Sequence, residues 1–234
     1  MFIYDDVIDQ INKINSNYQF KNLSVITNKE FVENPNQLIF KDNIKYELGG
    51  GSFNGIGLSL LSDNVDFSKD EIYLIGDDLD KINQDKNYAR ITIASVDLSK
   101  LGKDNTLYQN IRKLDYVKYH FALDGVMVRE STFTQKESII ISKSALKKDK
   151  LNLSILGSYF ISQYKKLPFI KNVKIIFINE DKYDYLALAD LLSKEEKITK
   201  ALDHLTSKVK MDCHTCSLQV ICNEVEKKVK EDFK

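Results

Sequence analysis

The sequence predicts a mixed α/β (α+β) fold, in which a β-sheet is flanked by helices and a helical C-terminal segment carries a three-cysteine motif. Short runs rich in β-branched residues, such as residues 72–75 and 172–179, indicate buried strands. Longer segments between them repeat apolar residues at helical spacing. The composition, 43% hydrophobic and 29% charged over 234 residues, is ordinary for a globular protein and large enough for a substantial core.

The first half of the chain is predicted to be one short helix followed mostly by strands. Ile3, Val7, Ile11 and Ile14 are spaced as on one face of a helix. The segment GGGSFNG, residues 49–55, is predicted to be a turn. Strands are predicted over residues 22–28, 36–48, 56–62, 72–75 and 88–98.

The second half is predicted to be mostly helical. The segment NVKIIFIN, residues 172–179, is strongly apolar and predicts a central strand. A helix over 181–210 is predicted to place Leu186 on its apolar side, and the last helix has an apolar stripe that begins at Ile221. Two charge pairs at i,i+4 spacing, Glu224–Lys228 and Glu226–Lys230, support that last helix. The other predictions are helices over 104–122 and 150–167 and a strand pair over 124–131 and 138–146.

Charge and cysteine usage exclude several classes of protein. Lys+Arg and Asp+Glu both number 34, so no basic excess points to nucleic acid as a partner. No stretch approaches the roughly 18 apolar residues of a membrane span. Three cysteines are an odd number and lie close together, which is unlike a secreted disulfide framework. We therefore expect a cytoplasmic protein with reduced thiols, organised as an α/β domain over 1–210 and a cysteine motif with a helix over 211–234.

The three cysteines, Cys213, Cys216 and Cys222, form a C-x2-C-x5-C motif. On one continuous helix, Cys213 and Cys222 would point about half a revolution apart. A shared site therefore requires a turn at CHTCS that supplies two thiolates, with Cys222 reaching back from the start of the last helix. Two thiolates with two residues between them suit an iron–sulfur cluster or zinc, and such soft ligands exclude magnesium and calcium. The alternative is that the three are reduced thiols or a redox pair.

The motif leaves the fourth ligand open, because the sequence contains no other cysteine. The fourth ligand could be a nearby side chain of this chain, a side chain of a partner protein, or an exogenous ligand. The side chains in this chain are those of His204, Asp212, His214 and Glu224.

Other motifs favour structural roles. The glycines of YELGGGSFNGIG match neither phosphate-binding glycine pattern, because residue 54 is Asn. A tight turn or bulge that needs positive φ is the better interpretation. Asp77, Asp78 and Asp80 lack the pattern of a calcium loop and are predicted to cap a helix or to lie in a solvated turn. His120 is predicted to be a packed or surface histidine.

Several segments in order carry a resemblance to a known family. The segments YELGGGSFNGIG, EIYLIGDDLDKI, YHFALDGVMVRES, IIISKSAL and LGSYFISQYKKLPFIKNVKIIFI are followed by a long helix and a cysteine pair. Between Tyr46 and Cys222 this order resembles the acetyl-CoA synthase family, the beta subunit of the carbon monoxide dehydrogenase/acetyl-CoA synthase complex.

The resemblance implies a function and a set of ligands. In that family the cysteine pair opens the motif for a 4Fe–4S cluster bridged to a two-nickel site; Cys213 and Cys216 match that pair, and Cys222 matches the third cysteine. The element that holds the distal nickel has no counterpart here, so nickel is not expected. The resemblance implies an iron–sulfur protein of anaerobic one-carbon, corrinoid-linked metabolism. It would be related to the CO-methylating synthase subunit and act with a corrinoid or redox partner protein. Neither nucleic acid nor a membrane is expected as a partner. The alternative is a non-enzymatic scaffold or adaptor, or a structural zinc protein, derived from the same domain.

Overall fold

Seven α-helices and eight strands in two sheets form the part of the chain that the computed structural model describes, residues 3–27, 30–36, 38–65, 67–131, 136–147, 151–206 and 216–232. The helices are α1 (Asp5–Asn15), α2 (Leu98–Leu101), α3 (Asp104–Tyr119), α4 (Lys143–Lys147), α5 (Leu153–Tyr164), α6 (Tyr185–Thr206) and α7 (Gln219–Asp232). The strands are β1 (Lys21–Leu23), β2 (Ile44–Leu48), β3 (Gly55–Ser62), β4 (Glu71–Ile75), β5 (Tyr88–Val96), β6 (Val126–Ser131), β7 (Lys136–Ser142) and β8 (Ile170–Ile178). The predicted mixed α/β class with a C-terminal helix is therefore confirmed.

The larger sheet has five strands in the order β1-β4-β8-β5-β3. β3 pairs with β5 in parallel, β4 pairs with β8 in parallel, and these two pairs meet through an antiparallel β5–β8 ladder. β8 is the middle strand, as its apolar sequence predicts, and Ile175, Ile176, Phe177 and Ile178 are all buried. Such a strand is apolar on both sides because packed elements cover both faces of the sheet.

Different elements cover the two faces of the larger sheet. On one face, the Arg90 side chain of β5 donates to the Tyr164 hydroxyl of α5 at 3.1 Å. On the other face, the Ser62 hydroxyl of β3 donates to the Asp5 carboxylate of α1 at 2.7 Å. A 2.7 Å hydrogen bond between the Tyr4 and Thr199 hydroxyls ties the start of α1 to α6. No helix among the described residues is long and apolar enough to cross a membrane.

The smaller sheet is antiparallel, with β7 between β2 and β6. Its predicted strand pair is found as β6 and β7, which place Arg129 opposite Ser138 and Glu130 opposite Glu137. The second strand is shorter than predicted, because β7 ends at Ser142 and residues 143–146 lie in α4. Because successive side chains of a strand point to opposite faces, Glu137 points towards the larger sheet while Ser138 points away from it. This alternation places the Glu137 carboxylate against Arg90.

Several local predictions are wrong. The strand predicted over 22–28 ends at Leu23, and residues 24–27 lie outside any strand. The strand predicted over 36–48 begins only at Ile44, after a 3₁₀ turn at Lys41–Asn43; before that turn Ile39 is buried, but Leu38 and Phe40 are exposed. Leu186 is 78% exposed, because α6 begins at Tyr185 and buries Tyr185 and Leu188. A helix with about 3.6 residues per turn then points residue 186 away from the core.

Candidate metal centre

The described cysteines lie at the start of the last helix. Cys216 precedes α7, and its carbonyl accepts a hydrogen bond from the Gln219 amide at 3.1 Å. Cys222 lies four residues into α7, and its amide donates to the Leu218 carbonyl at 2.8 Å. Both residues are of intermediate exposure. One thiol is thus placed by the turn and the other by the helix itself.

Helix α7 is docked on the rest of the molecule along the face that includes Cys222. Val225 is 2% exposed, and Ile221, Cys222 and Val229 pack against the same core. The Lys228 ammonium lies 3.0 Å from the Asp6 carboxylate of α1. These contacts hold Cys222 at a defined position relative to α1 and α6.

Only one of the two predicted charge pairs on α7 forms within the helix. The Lys230 ammonium lies 2.6 Å from the Glu226 carboxylate, as predicted. Lys228 pairs with Asp6 and not with Glu224, because docking brings the first turn of α1 within reach. A partly buried partner from another helix is the better one here, since an exposed i,i+4 pair stabilises a helix by only about 0.5 kcal/mol or less.

Because Val225 helps to dock α7 on the core, shortening its side chain should lower the stability of the protein. We expect Val225→Ala to lower the free energy of unfolding by about 1.5 kcal/mol, because two buried methyl groups are removed. Hydrogen exchange should accelerate through α7 in the same variant. Val220→Ala is the matched control, because Val220 is 71% exposed, and it should change stability by less than about 0.5 kcal/mol. Equal losses in the two variants would contradict the docking.

The described part of the structure does not bring the remaining predicted ligands together. Cys213, Asp212 and His214 lie outside the described residues, so their positions relative to Cys216 are not part of the structure. His204 is half-buried in the last turn of α6. Within the described ranges, no group of three or more His, Cys, Asp or Glu side chains is arranged to hold a metal. The two placed thiols fit a soft metal or a cluster chemically, and the third thiolate and the fourth ligand stay predictions.

The glycine segment is a turn, as predicted. Gly49 and Gly51 have φ of 77° and 56°, values that glycine adopts without strain. Farther along, Gly55 begins β3 where β7 passes close by. A Cβ on Gly55 would collide with the carbonyl oxygen of Glu137 and lie 2.5 Å from that of Gly49. The segment therefore allows close packing between the two sheets.

The acidic turn also has the predicted capping role. The Asp78 carboxylate accepts hydrogen bonds from the Leu79 amide at 2.7 Å and from the Leu153 amide at 2.8 Å. Leu153 is the first residue of α5, so Asp78 satisfies a donor that the helix leaves unpaired. His120 is exposed at the end of α3, which agrees with a surface histidine.

A buried ion pair joins the two sheets. The Arg90 and Glu137 side chains are both 0% exposed, with Nε donating to Oε1 at 2.8 Å and Nη2 donating to Oε2 at 2.5 Å. The second Arg90 terminal nitrogen donates to the Thr92 hydroxyl at 2.6 Å. The Phe160 ring lies 4.7 Å from the guanidinium carbon. Every arm of the guanidinium thus has a partner, which is what a buried charge requires.

The ion pair and its burial shift the pKa values of Arg90 and of the neighbouring Tyr88. Burial alone would lower the pKa of Arg90, but the adjacent Glu137 carboxylate outweighs burial and raises that pKa. Burial, together with Glu137, raises the pKa of the neighbouring Tyr88 well above its ordinary value. Sequence reasoning missed this pair. The available signal was one arginine inside the buried strand YARITIAS and one glutamate at the head of SIIIS.

No protein-family model matches this sequence, and no curated protein sequence matches it either.

Proposed function

We propose that the chain is an acetyl-CoA-synthase-like iron–sulfur protein of anaerobic one-carbon, corrinoid-linked metabolism, with Cys213, Cys216 and Cys222 as cluster ligands. The observation that carries the proposal is the placement of Cys216 and Cys222 as partly exposed residues around the start of a docked helix. The order of sequence landmarks from Tyr46 to Cys222 supports the family assignment.

The two cysteines lie close to the start of the same helix: Cys216 precedes α7, and Cys222 lies in its first turn. Both residues are partly exposed, as a site that takes up a metal or cluster requires. Cys216, on the turn, can adjust towards Cys213 three residues earlier, while Cys222 is held by the packing of α7.

Three thiolates would leave one iron of a 4Fe–4S cluster without a cysteine ligand. When bound, such a cluster supplies electron transfer or ligand binding at that iron. The chain's own residues hold the cluster next to solvent, where a corrinoid or redox partner protein can approach. We place this activity in the cytoplasm, where thiols stay reduced.

Anaerobic purification of the full chain tests the proposal. We expect about four irons and four sulfides per chain and a broad absorption band at about 400 nm. Cys213→Ala, Cys216→Ala and Cys222→Ala should each lose most of the iron and the band. Ser217→Ala is the matched control, because it lies between two of the ligands and is no ligand itself.

The metal analysis also separates the alternatives. One zinc per chain with no colour would overturn the cluster and favour a structural zinc site in an adaptor protein. Absence of both metals from an anaerobic, folded preparation would overturn any metal site. Stoichiometric nickel would show a ligand set larger than the three cysteines.

A further inference from the structure

A cleft lies between α1 and the connection from β3 to β4, on the face of the larger sheet opposite Arg90. Its volume is about 310 Å³. Asp5, Asp9 and Asn12 of α1 line one wall, Asn64 lines the connection, and Lys174 of β8 lies on the sheet side. Neither of the described cysteines, Cys216 and Cys222, lines this cleft.

The α1 wall is acidic and firmly positioned. Residues 5, 9 and 12 are one and two helical turns apart, so they share one face of α1. Asp5 is 7% exposed, and the fully buried Ser62 hydroxyl donates to its Oδ1 at 2.7 Å. The Ser62 oxygen in turn accepts from the Asn64 amide at 3.0 Å. Asp9 is exposed on the same wall and adds a second carboxylate.

The sheet side presents an ammonium beside apolar surface. Lys174 lies opposite Ile93 in the β5–β8 ladder. Its Nζ is 3.2 Å from the Glu71 carboxylate and 4.9 Å from the centroid of the Phe67 ring. An ion pair and a ring contact together hold this flexible side chain in place. Ile8, Phe67 and Ile93 are buried and supply apolar lining.

We propose that this cleft binds a small zwitterion of the α-amino acid class, with its ammonium at Asp5 and Asp9 and its carboxylate at Lys174. The ligand's side chain packs against Phe67 and Ile93. The volume of the cleft lies at the low end of the roughly 300–1,000 Å³ of small-molecule sites, which suits a single amino acid.

The charges of the cleft argue against simpler ligands. A ligand that carries only a negative charge would contact Lys174 but would leave the two carboxylates of α1 without a cation. A metal ion would need three converging donors, and the described residues hold no such group of His, Cys, Asp or Glu. A ligand with both charges complements both sides. The inference does not depend on the cysteine site.

The test measures binding of the standard L-amino acids to the full chain by thermal shift, followed by calorimetry on those that stabilise it. We expect at least one to raise the midpoint of unfolding. Its N-acetyl derivative, which lacks the ammonium, and its decarboxylated amine, which lacks the carboxylate, should bind roughly tenfold more weakly or worse.

Variants locate the site. Asp9→Asn and Lys174→Met should each lower affinity by roughly tenfold or more, since each removes one charge-assisted contact. Asp190→Asn and Lys171→Met are matched controls at exposed positions outside the cleft, and they should bind as the parent does. Asp9 is exposed, so its variant is expected to fold even if Lys174→Met does not.

Three results would overturn the proposal: no stabilisation by any amino acid, equal binding of the decarboxylated amine, or unchanged affinity in Asp9→Asn. Circular dichroism of each variant confirms that it is folded before its affinity is interpreted. Because the readout is amino acid binding and uses no metal, its failure leaves the cysteine proposal untouched, and the reverse also holds.

Discussion

Replacing Arg90 by methionine should lower the free energy of unfolding by about 3–5 kcal/mol, because Glu137 would be left charged and buried without its cation. Both side chains are 0% exposed, so water cannot take the place of the guanidinium. Urea unfolding, followed by circular dichroism, measures the loss as a lower midpoint at an unchanged slope.

Two further variants are compared with Arg90→Met. Arg129→Met removes an arginine that is 60% exposed and 3.6 Å from Glu47, and it should cost no more than about 1 kcal/mol. The double variant Arg90→Met with Glu137→Met should recover much of the stability, because a buried ion pair is often replaceable by apolar residues of similar volume. A loss at Arg90 no larger than at Arg129 would show that the pair does not hold the two sheets together.

Gly55→Ala should destabilise the chain by about 1–3 kcal/mol or more, because the added methyl group has no free space. The colliding atoms are backbone oxygens of Glu137 and Gly49, which cannot rotate away as a side chain can. Relief would require β7 to move from β3, and this movement would also lengthen the Arg90–Glu137 contact. The measurement is again urea unfolding, with proteolysis of the smaller sheet as a second probe.

Gly51→Asn is the matched control for that substitution. Gly51 lies in the same segment, a Cβ there would meet nothing within 4 Å, and its φ of 56° is one that Asn tolerates better than most residues. We expect a loss of no more than about 1 kcal/mol, which reflects the positive φ and no steric collision. If Gly55→Ala proved equally mild, the close approach of β7 to β3 would not be a packing constraint.

Most elements could be predicted from the sequence because the signals are local. The period of apolar residues identified α1 and α7, and the continuous apolar run of β8 predicted its central position. Two of the exceptions share one cause. Leu38, Phe40 and Leu186 are apolar in sequence, but no neighbouring element buries them.

The candidate site was less predictable than the fold. The sequence indicated a turn before the last helix, and the structure places Cys216 before α7 and Cys222 within it. It could not show that Lys228 would pair with Asp6, since the two are 222 residues apart. The acidic wall on α1 was also missed. In the sequence, Asp5 and Asp9 are typical of a polar helix face, and only the structure shows that Lys174 lies opposite.

By itself, the sequence determined the kinds of element, the glycine turn, the capping role of Asp78 and the clustering of all three cysteines. Each depends on residues close together in the chain, where backbone preference and periodicity act. Only the tertiary structure decided the split into two sheets, the Arg90–Glu137 pair across 47 residues and the charged cleft beside α1. Burial makes a charge pair necessary, and burial is a property of the packed chain, not of any segment of it.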